Sequence, residues 1–163
     1  MGTTVSDHEC QILLLHGEGL RSTAAELIVK ICTDLQLPLC KNSDQIIGTS
    51  CIARIESELM ANSGQPRRNR VLIAGAYLEE QLTVCALHSL ALGFEVFLLK
   101  DFIVARNSTH MQAFDMRLFQ AGTVPTTLRQ LVYEWLSQET IVERQAIHRN
   151  LLAMIDAYIL RPA

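Results

Sequence analysis

Apolar positions follow two alternating rhythms along this chain. Short runs that are apolar at nearly every position, residues 11–15 (QILLL), 71–74 (VLIA) and 96–99 (VFLL), have the length of strands. Between them lie longer stretches with apolar residues at helical spacing, such as Leu27, Ile28, Ile31 and Leu35, or Ile52, Ile55 and Leu59. A strand apolar at nearly every position is buried on both faces, which points to a parallel sheet covered by helices and away from an antiparallel sheet facing water.

In chain order, residues 11–15 predict a first buried strand leading into the turn His16-Gly17-Glu18-Gly19. Ser22 or Thr23 can cap a helix reaching about Leu35. Residues 37–40 predict a second strand, and Pro38, which cannot donate to a ladder, favours an edge position. A helix over 50–61 ends at the stop signal Asn62-Ser63-Gly64-Gln65-Pro66. Residues 71–102 then form one β-α-β unit: a strand to Gly75, a short turn, a largely buried helix over 79–92 closed by Gly93, and a strand to Asp101. A loop over 103–109 leads to a helix over 110–121 with Met111, Phe114 and Leu118 inward and Gly122 as its stop. Residues 123–125 are short and extended. Thr126 or Thr127 caps a further helix carrying Leu128, Leu131, Val132 and Trp135. The last helix, over 139–160, has the stripe Ile147, Leu151, Met154, Ile155 and Tyr158, which either completes the domain's own core or docks on a partner subunit. Alternating strands and helices define the fold class as α/β, a three-layer αβα sandwich with a mostly parallel, Rossmann-like sheet.

At 163 residues the chain has room for one domain with a substantial core, spanning 1–163. Its net charge of -3 and its lack of a basic stripe exclude nucleic acid as an expected partner. No apolar run approaches the roughly 20 residues of a membrane span, and residues 1–9 lack a basic, signal-like start. The expected location is cytoplasmic. The five cysteines, Cys10, Cys32, Cys40, Cys51 and Cys85, have no C-x-x-C spacing and sit in or beside apolar segments, so they read as reduced structural thiols. No pair of histidines is spaced i, i+4, and neither a metal site nor a cofactor is expected. Arg67, Arg68 and Arg70, at the amino end of the central strand, read as a solvated loop.

Ligands of open α/β sheets sit at the carboxyl ends of the strands, which makes the turn Gly75, Ala76, Tyr77, Leu78 the expected binding segment. Gly75, Gln81 and Gly93, followed by an apolar run and Asp101, resemble the isochorismatase-like cysteine hydrolases. The stretch HMQAFDMRLFQAGTVPTTLRQLVYEWL is similar to the closing part of one branch of that family. The resemblance is convincing over about residues 71–136. It implies that Gln81 occupies the place of the nucleophilic cysteine, His16 that of the catalytic aspartate, and Lys41, ahead of Gly48-Thr49, that of the catalytic lysine. It also implies a homo-oligomer and a small-molecule ligand. The segment between the first strand and Lys41 is several dozen residues shorter than in the family, so lid-like elements are expected to be missing.

A cysteine in the first turn of a helix gains thiolate character from the backbone dipole, whereas a glutamine there cannot attack a carbonyl. Cys85 lies four residues further on, about 6 Å deeper along the axis. It reads as a buried small hydrophobe. Two functions follow as expectations. One is a family member that has lost cysteine hydrolase chemistry and acts in binding or assembly. The other is an active hydrolase of a small amide, carbamoyl or vinyl ether substrate, with His16 activating water beside Lys41.

Overall fold

The computed structural model describes residues 5–15, 22–43, 48–64, 68–75 and 77–159. Five strands are present among them: β1 (Cys10–Leu15), β2 (Leu39–Asn42), β3 (Arg70–Gly75), β4 (Glu95–Leu99) and β5 (Val124–Thr126). They form one sheet in the order β2-β1-β3-β4-β5, and every neighbouring pair is parallel. The helices are α1 (Ser22–Leu35), α2 (Thr49–Asn62), α3 (Thr83–Ala91), α4 (Ser108–Ala121), α5 (Leu128–Gln138) and α6 (Val142–Ile159). This is an α/β sandwich of three layers, as the run pattern predicts. β2, which begins just after Pro38, is an edge strand beside β1.

Alternation along fully apolar strands divides the core in two. Ile12, Leu14, Leu72, Ala74, Phe97 and Leu99 face a layer built by α1, α5 and α6. Leu13, Leu15, Val71, Ile73, Val96 and Leu98 face the layer of α2, α3 and α4. On α6, Leu151 and Ile155 are buried while Ile147, Met154 and Tyr158 pack on the first core, and the Tyr158 ring stacks on Phe102 at 5.8 Å. The stripe of the last helix therefore packs on the chain's own core, Leu151 and Ile155 fully and Ile147, Met154 and Tyr158 in part.

The second and last strands lie slightly later than expected, at Leu39–Asn42 and Val124–Thr126, and three helix boundaries differ from the sequence pattern for identifiable reasons. The last helix starts at Val142, because Glu139 closes α5 and its Oε1 accepts the N–H groups of Thr140 and Ile141. Helix α4 starts at Ser108, since Asn107 caps it by accepting the N–H of Thr109 at 3.0 Å. The third concerns the site: α3 begins at Thr83, and Leu78–Leu82 is a π turn in which Glu80 is non-helical (φ -121°, ψ -112°). The Thr83 hydroxyl donates to the Leu78 carbonyl at 2.5 Å, which satisfies that carbonyl outside the regular i→i+4 ladder.

The amino ends of the strands are closed by charge. Arg70, the first residue of β3, is buried and pairs with Glu9 at 2.5 Å and Glu95 at 2.8 Å, while the Arg68 guanidinium donates to the Cys10 carbonyl at 2.8 Å. The expected solvated loop is thus corrected for Arg68 and Arg70, because the parallel register puts Arg70 opposite Glu95; Arg67 lies outside the described residues. Beside them Asp7 accepts hydrogen bonds from the Arg144 guanidinium and, at 3.2 Å, His148 Nε2, and Arg144 also pairs with Glu139 at 2.7 Å. This network ties the segment before β1 to α6.

Candidate functional site

All five strands point the same way, so Leu15, Asn42, Gly75, Leu99 and Thr126 end on one side of the sheet. Leu15 is in register with both Asn42 and Gly75, which brings the carboxyl ends of β1, β2 and β3 level. Gly75 has φ +89°, a left-handed conformation that lets the chain leave β3 sharply. Beyond it Tyr77 is half-buried, Leu78 is fully buried and the π turn follows, anchored to the second core by Leu78 and Leu82.

The turn is held from outside by residues 104–106. Tyr77 and Val104 form an isolated parallel bridge, and the Leu78 N–H donates to the Val104 carbonyl at 2.9 Å. The Arg106 N–H donates to Glu79 Oε2 at 2.8 Å. Its guanidinium pairs with both carboxylate oxygens of Glu80 and lies 4.1 Å from the centre of the Tyr77 ring. Arg106 thus offsets the charge of Glu80, gives its backbone N–H to Glu79 and stacks on the turn's aromatic ring.

The sequence-derived site residues fare differently. Gln81 is buried, 6 % exposed, and directly follows the non-helical Glu80, so it stands where helical backbone resumes into α3. Lys41 is exposed on the edge strand and lines a shallow groove with Val29 and Thr33 of α1, on the other side of the sheet from the α3 layer. The next residue, Asn42, is the one turned toward the α2 layer. Lys41 thus lies against α1, and Gln81 follows the turn that packs on the second core. His16 and Ala76 lie outside the described residues.

Cys85 is 1 % exposed, and burial pushes its thiol up to about 12. Cys10, Cys32 and Cys40 are likewise raised to about 12 by burial. All five cysteines are free and buried. A thiol at such a value is a packing group, not a nucleophile.

Two further polar residues stand at this end: Asn42, which went unnoticed in the sequence, and Asp101, which was noted there only as a strand end and as part of the resemblance. Asn42 is fully buried; its Oδ1 accepts the Cys51 thiol at 3.1 Å and the Arg54 guanidinium at 2.9 Å, and its amide nitrogen has no partner among the described residues. Alternation in β2 could have revealed it, since Lys41 outward places Asn42 inward. Asp101 accepts the Leu128 N–H at 3.3 Å and so serves the amino end of α5. Part of Asp101 reaches solvent, but desolvation by the surrounding protein still pushes its carboxyl above the usual value.

Asp7, His8 and Glu139 place ligand atoms within 4.8 Å of one another, the one such metal-sized group among the described residues. It lies at the opposite end of the sheet. Arg144 pairs with both of its carboxylates and already supplies the positive charge a cation would bring. No described helix is long and apolar enough to cross a membrane.

No protein-family model matches the chain, and no curated protein does. Solved structures do. YcaC from Pseudomonas aeruginosa, determined with hexane-2,5-diol and covalent acrylamide, aligns at a TM-score of 0.67 and 14% identity over 82% of this chain and 83% of its own. The YcaC gene product from Escherichia coli, described as an octameric hydrolase of unknown specificity, aligns at 0.65 and 14% identity over 97% of this chain and 98% of its own. MAR1 ribonuclease from Caenorhabditis elegans aligns at 0.67 and 12% identity over 93% of each chain. At such identities the likeness is one of fold, and it extends over nearly the whole chain.

Proposed function

We propose that this protein is an isochorismatase-like α/β protein that has lost cysteine hydrolase chemistry and works by binding a small molecule at the carboxyl end of its sheet, as a homo-oligomer. The observation carrying this reading is position 81. Where the resemblance puts the nucleophile stands a buried glutamine on a π turn, and the nearest thiol along the helix, Cys85, is buried and pushed up to about 12. Loss of one member of such a catalytic unit removes most of its rate.

What remains at this end suits recognition. Asn42 and Gln81 are buried carboxamides, able to donate to and accept from an amide or carboxylate, and neither ionises. Self-association is supported by the octameric state of the YcaC neighbour and by the exposed Phe119, Met116 and Val124 of α4 and β5. Five buried free thiols suit a reducing, cytoplasmic setting. A ribonuclease role like that of MAR1 is disfavoured by the net charge of -3 and by two carboxylates, Glu79 and Glu80, on the turn itself.

Native mass spectrometry of the purified protein tests the reading, alone and with nicotinamide, isochorismate or N-carbamoyl amino acids. A stable oligomer that retains a ligand and turns none over is the expected result. Turnover that disappears in His16→Ala would overturn it in favour of a hydrolase working without cysteine.

A further inference from the structure

We propose that residues 104–106 form a latch, closed by the Arg106 guanidinium, that keeps position 81 covered and opens to admit ligand. The proposal rests on the reading that position 81 faces a ligand crevice, and adds how access to that position is controlled.

Two unequal sets of bonds hold the latch. Its main-chain part is short: one isolated bridge between Tyr77 and Val104, with the Leu78 N–H on the Val104 carbonyl. The remainder comes from Arg106, through its N–H to Glu79, its guanidinium to Glu80 and its stacking on Tyr77. The Arg106 and Glu80 side chains are 51% and 42% exposed, so water and salt reach the pair directly. Exposed pairs of this kind are weak and strongly screened, the screening length falling from about 10 Å at 0.1 M salt to about 3 Å at 1 M.

The segment underneath is poised to change. Glu80 sits outside helical φ/ψ at the point where Leu78–Leu82 departs from the regular helix, and the residue after it is Gln81. The departure is confined to Glu80, and helical backbone is regained by Leu82. Helix α3, from Thr83 onward, is anchored by the buried Cys85, Ala86 and Ser89, so release of Arg106 loosens the turn without unfolding the helix. Short anchoring, exposed charge and a kinked segment place the latch among the least stable parts of the fold.

A thiol introduced as Gln81→Cys reports whether the position is covered, against a background of native cysteines that are all buried. The labelling rate with a charged and with a neutral thiol reagent is compared between Gln81→Cys and Gln81→Cys/Arg106→Ala, at 0.05 M and 1 M salt. The latch predicts slow labelling in the single variant, about five- to tenfold faster labelling in the double variant, and a salt-dependent rate in the single variant only. Rescue of slow labelling in the double variant by millimolar guanidinium would show that the lost cation is the cause.

Equal fast rates in both variants would overturn the latch and leave an open crevice, consistent with the binding reading. Equal slow rates, insensitive to salt, would overturn the latch and also the reading that position 81 faces a crevice. Should the substitution at 81 prevent folding, amide exchange on the unsubstituted chain serves instead. Exchange at Leu78 must then accelerate with salt and in Arg106→Ala, while exchange in β3 stays constant, for the latch to stand.

Discussion

The two ends of the sheet are built from opposite materials. At the amino ends, charged groups lie inside: Asp7 is 3% exposed, His148 is fully buried, and the Arg70 guanidinium is buried beneath two half-exposed carboxylates, Glu9 and Glu95. At the carboxyl ends the charges are exposed, the backbone turns through a left-handed glycine and a π turn, and a buried asparagine keeps an amide with no partner among the described residues. Buried ion pairs with satisfied geometry are costly to break, while exposed ones yield little and reform readily. The amino end thus fastens the chain together, and the carboxyl end is the part to which the proposed function assigns recognition.

The widest gap should appear in thiol chemistry. Cys10 at the amino end and Cys85 beneath the crevice are both held at about 12, so at pH 8 their alkylation should run on the order of a thousandfold slower than that of an exposed cysteine. Mass spectrometry after iodoacetamide treatment measures this. If Cys85 reacted like an exposed thiol while Cys10 did not, the carboxyl end would be open far deeper than its burial implies.

Next comes stability at the sealed end. Asp7→Ala leaves Arg144 and His148 without their shared acceptor and should cost about 3 kcal/mol in urea denaturation. Burial alone would raise the Asp7 carboxyl, but the His148 hydrogen bond and the Arg144 and His8 charges hold it below its usual value. Its folded-state affinity for protons is therefore lower than in the unfolded chain. The contribution is complete above the ordinary aspartate range and is lost as the pH falls through the depressed folded value. Unfolding midpoints measured downward from pH 6 should drop in the native chain and drop less in Asp7→Ala.

Smaller effects belong to the carboxyl end. Asn107→Ala removes the cap of α4 and should cost about 1 kcal/mol in the same assay. Glu80→Ala, which removes an exposed partner of Arg106, should cost less than about 1 kcal/mol and lose its effect at high salt. A loss as large as that of Asp7→Ala would abolish the contrast between the two ends.

Much of the architecture was legible in residue order. Apolar runs located β1, β3 and β4, Pro38 marked β2 as an edge, Gly122 closed α4 at φ +110°, and Thr127 capped α5 by accepting the Gln130 N–H. These are signals within a few residues, set by steric limits and backbone satisfaction. The site was far less legible. Glu79 and Glu80 read simply as acids near a turn, because their partner Arg106 is 27 and 26 residues away. Arg68 and Arg70 read as solvated for the same reason, their partners lying across the register in other segments.

By itself, then, the amino-acid order determined a parallel three-layer α/β fold and a glutamine where the resemblance expects a nucleophile, because local periodicity and residue identity are enough for both. Only the tertiary structure decided that α6 packs on the domain's own core, that Lys41 lies against α1, and that Arg106 pairs with the turn. Each depends on which distant segments the parallel register lays side by side, and periodicity within one segment carries no record of what faces it.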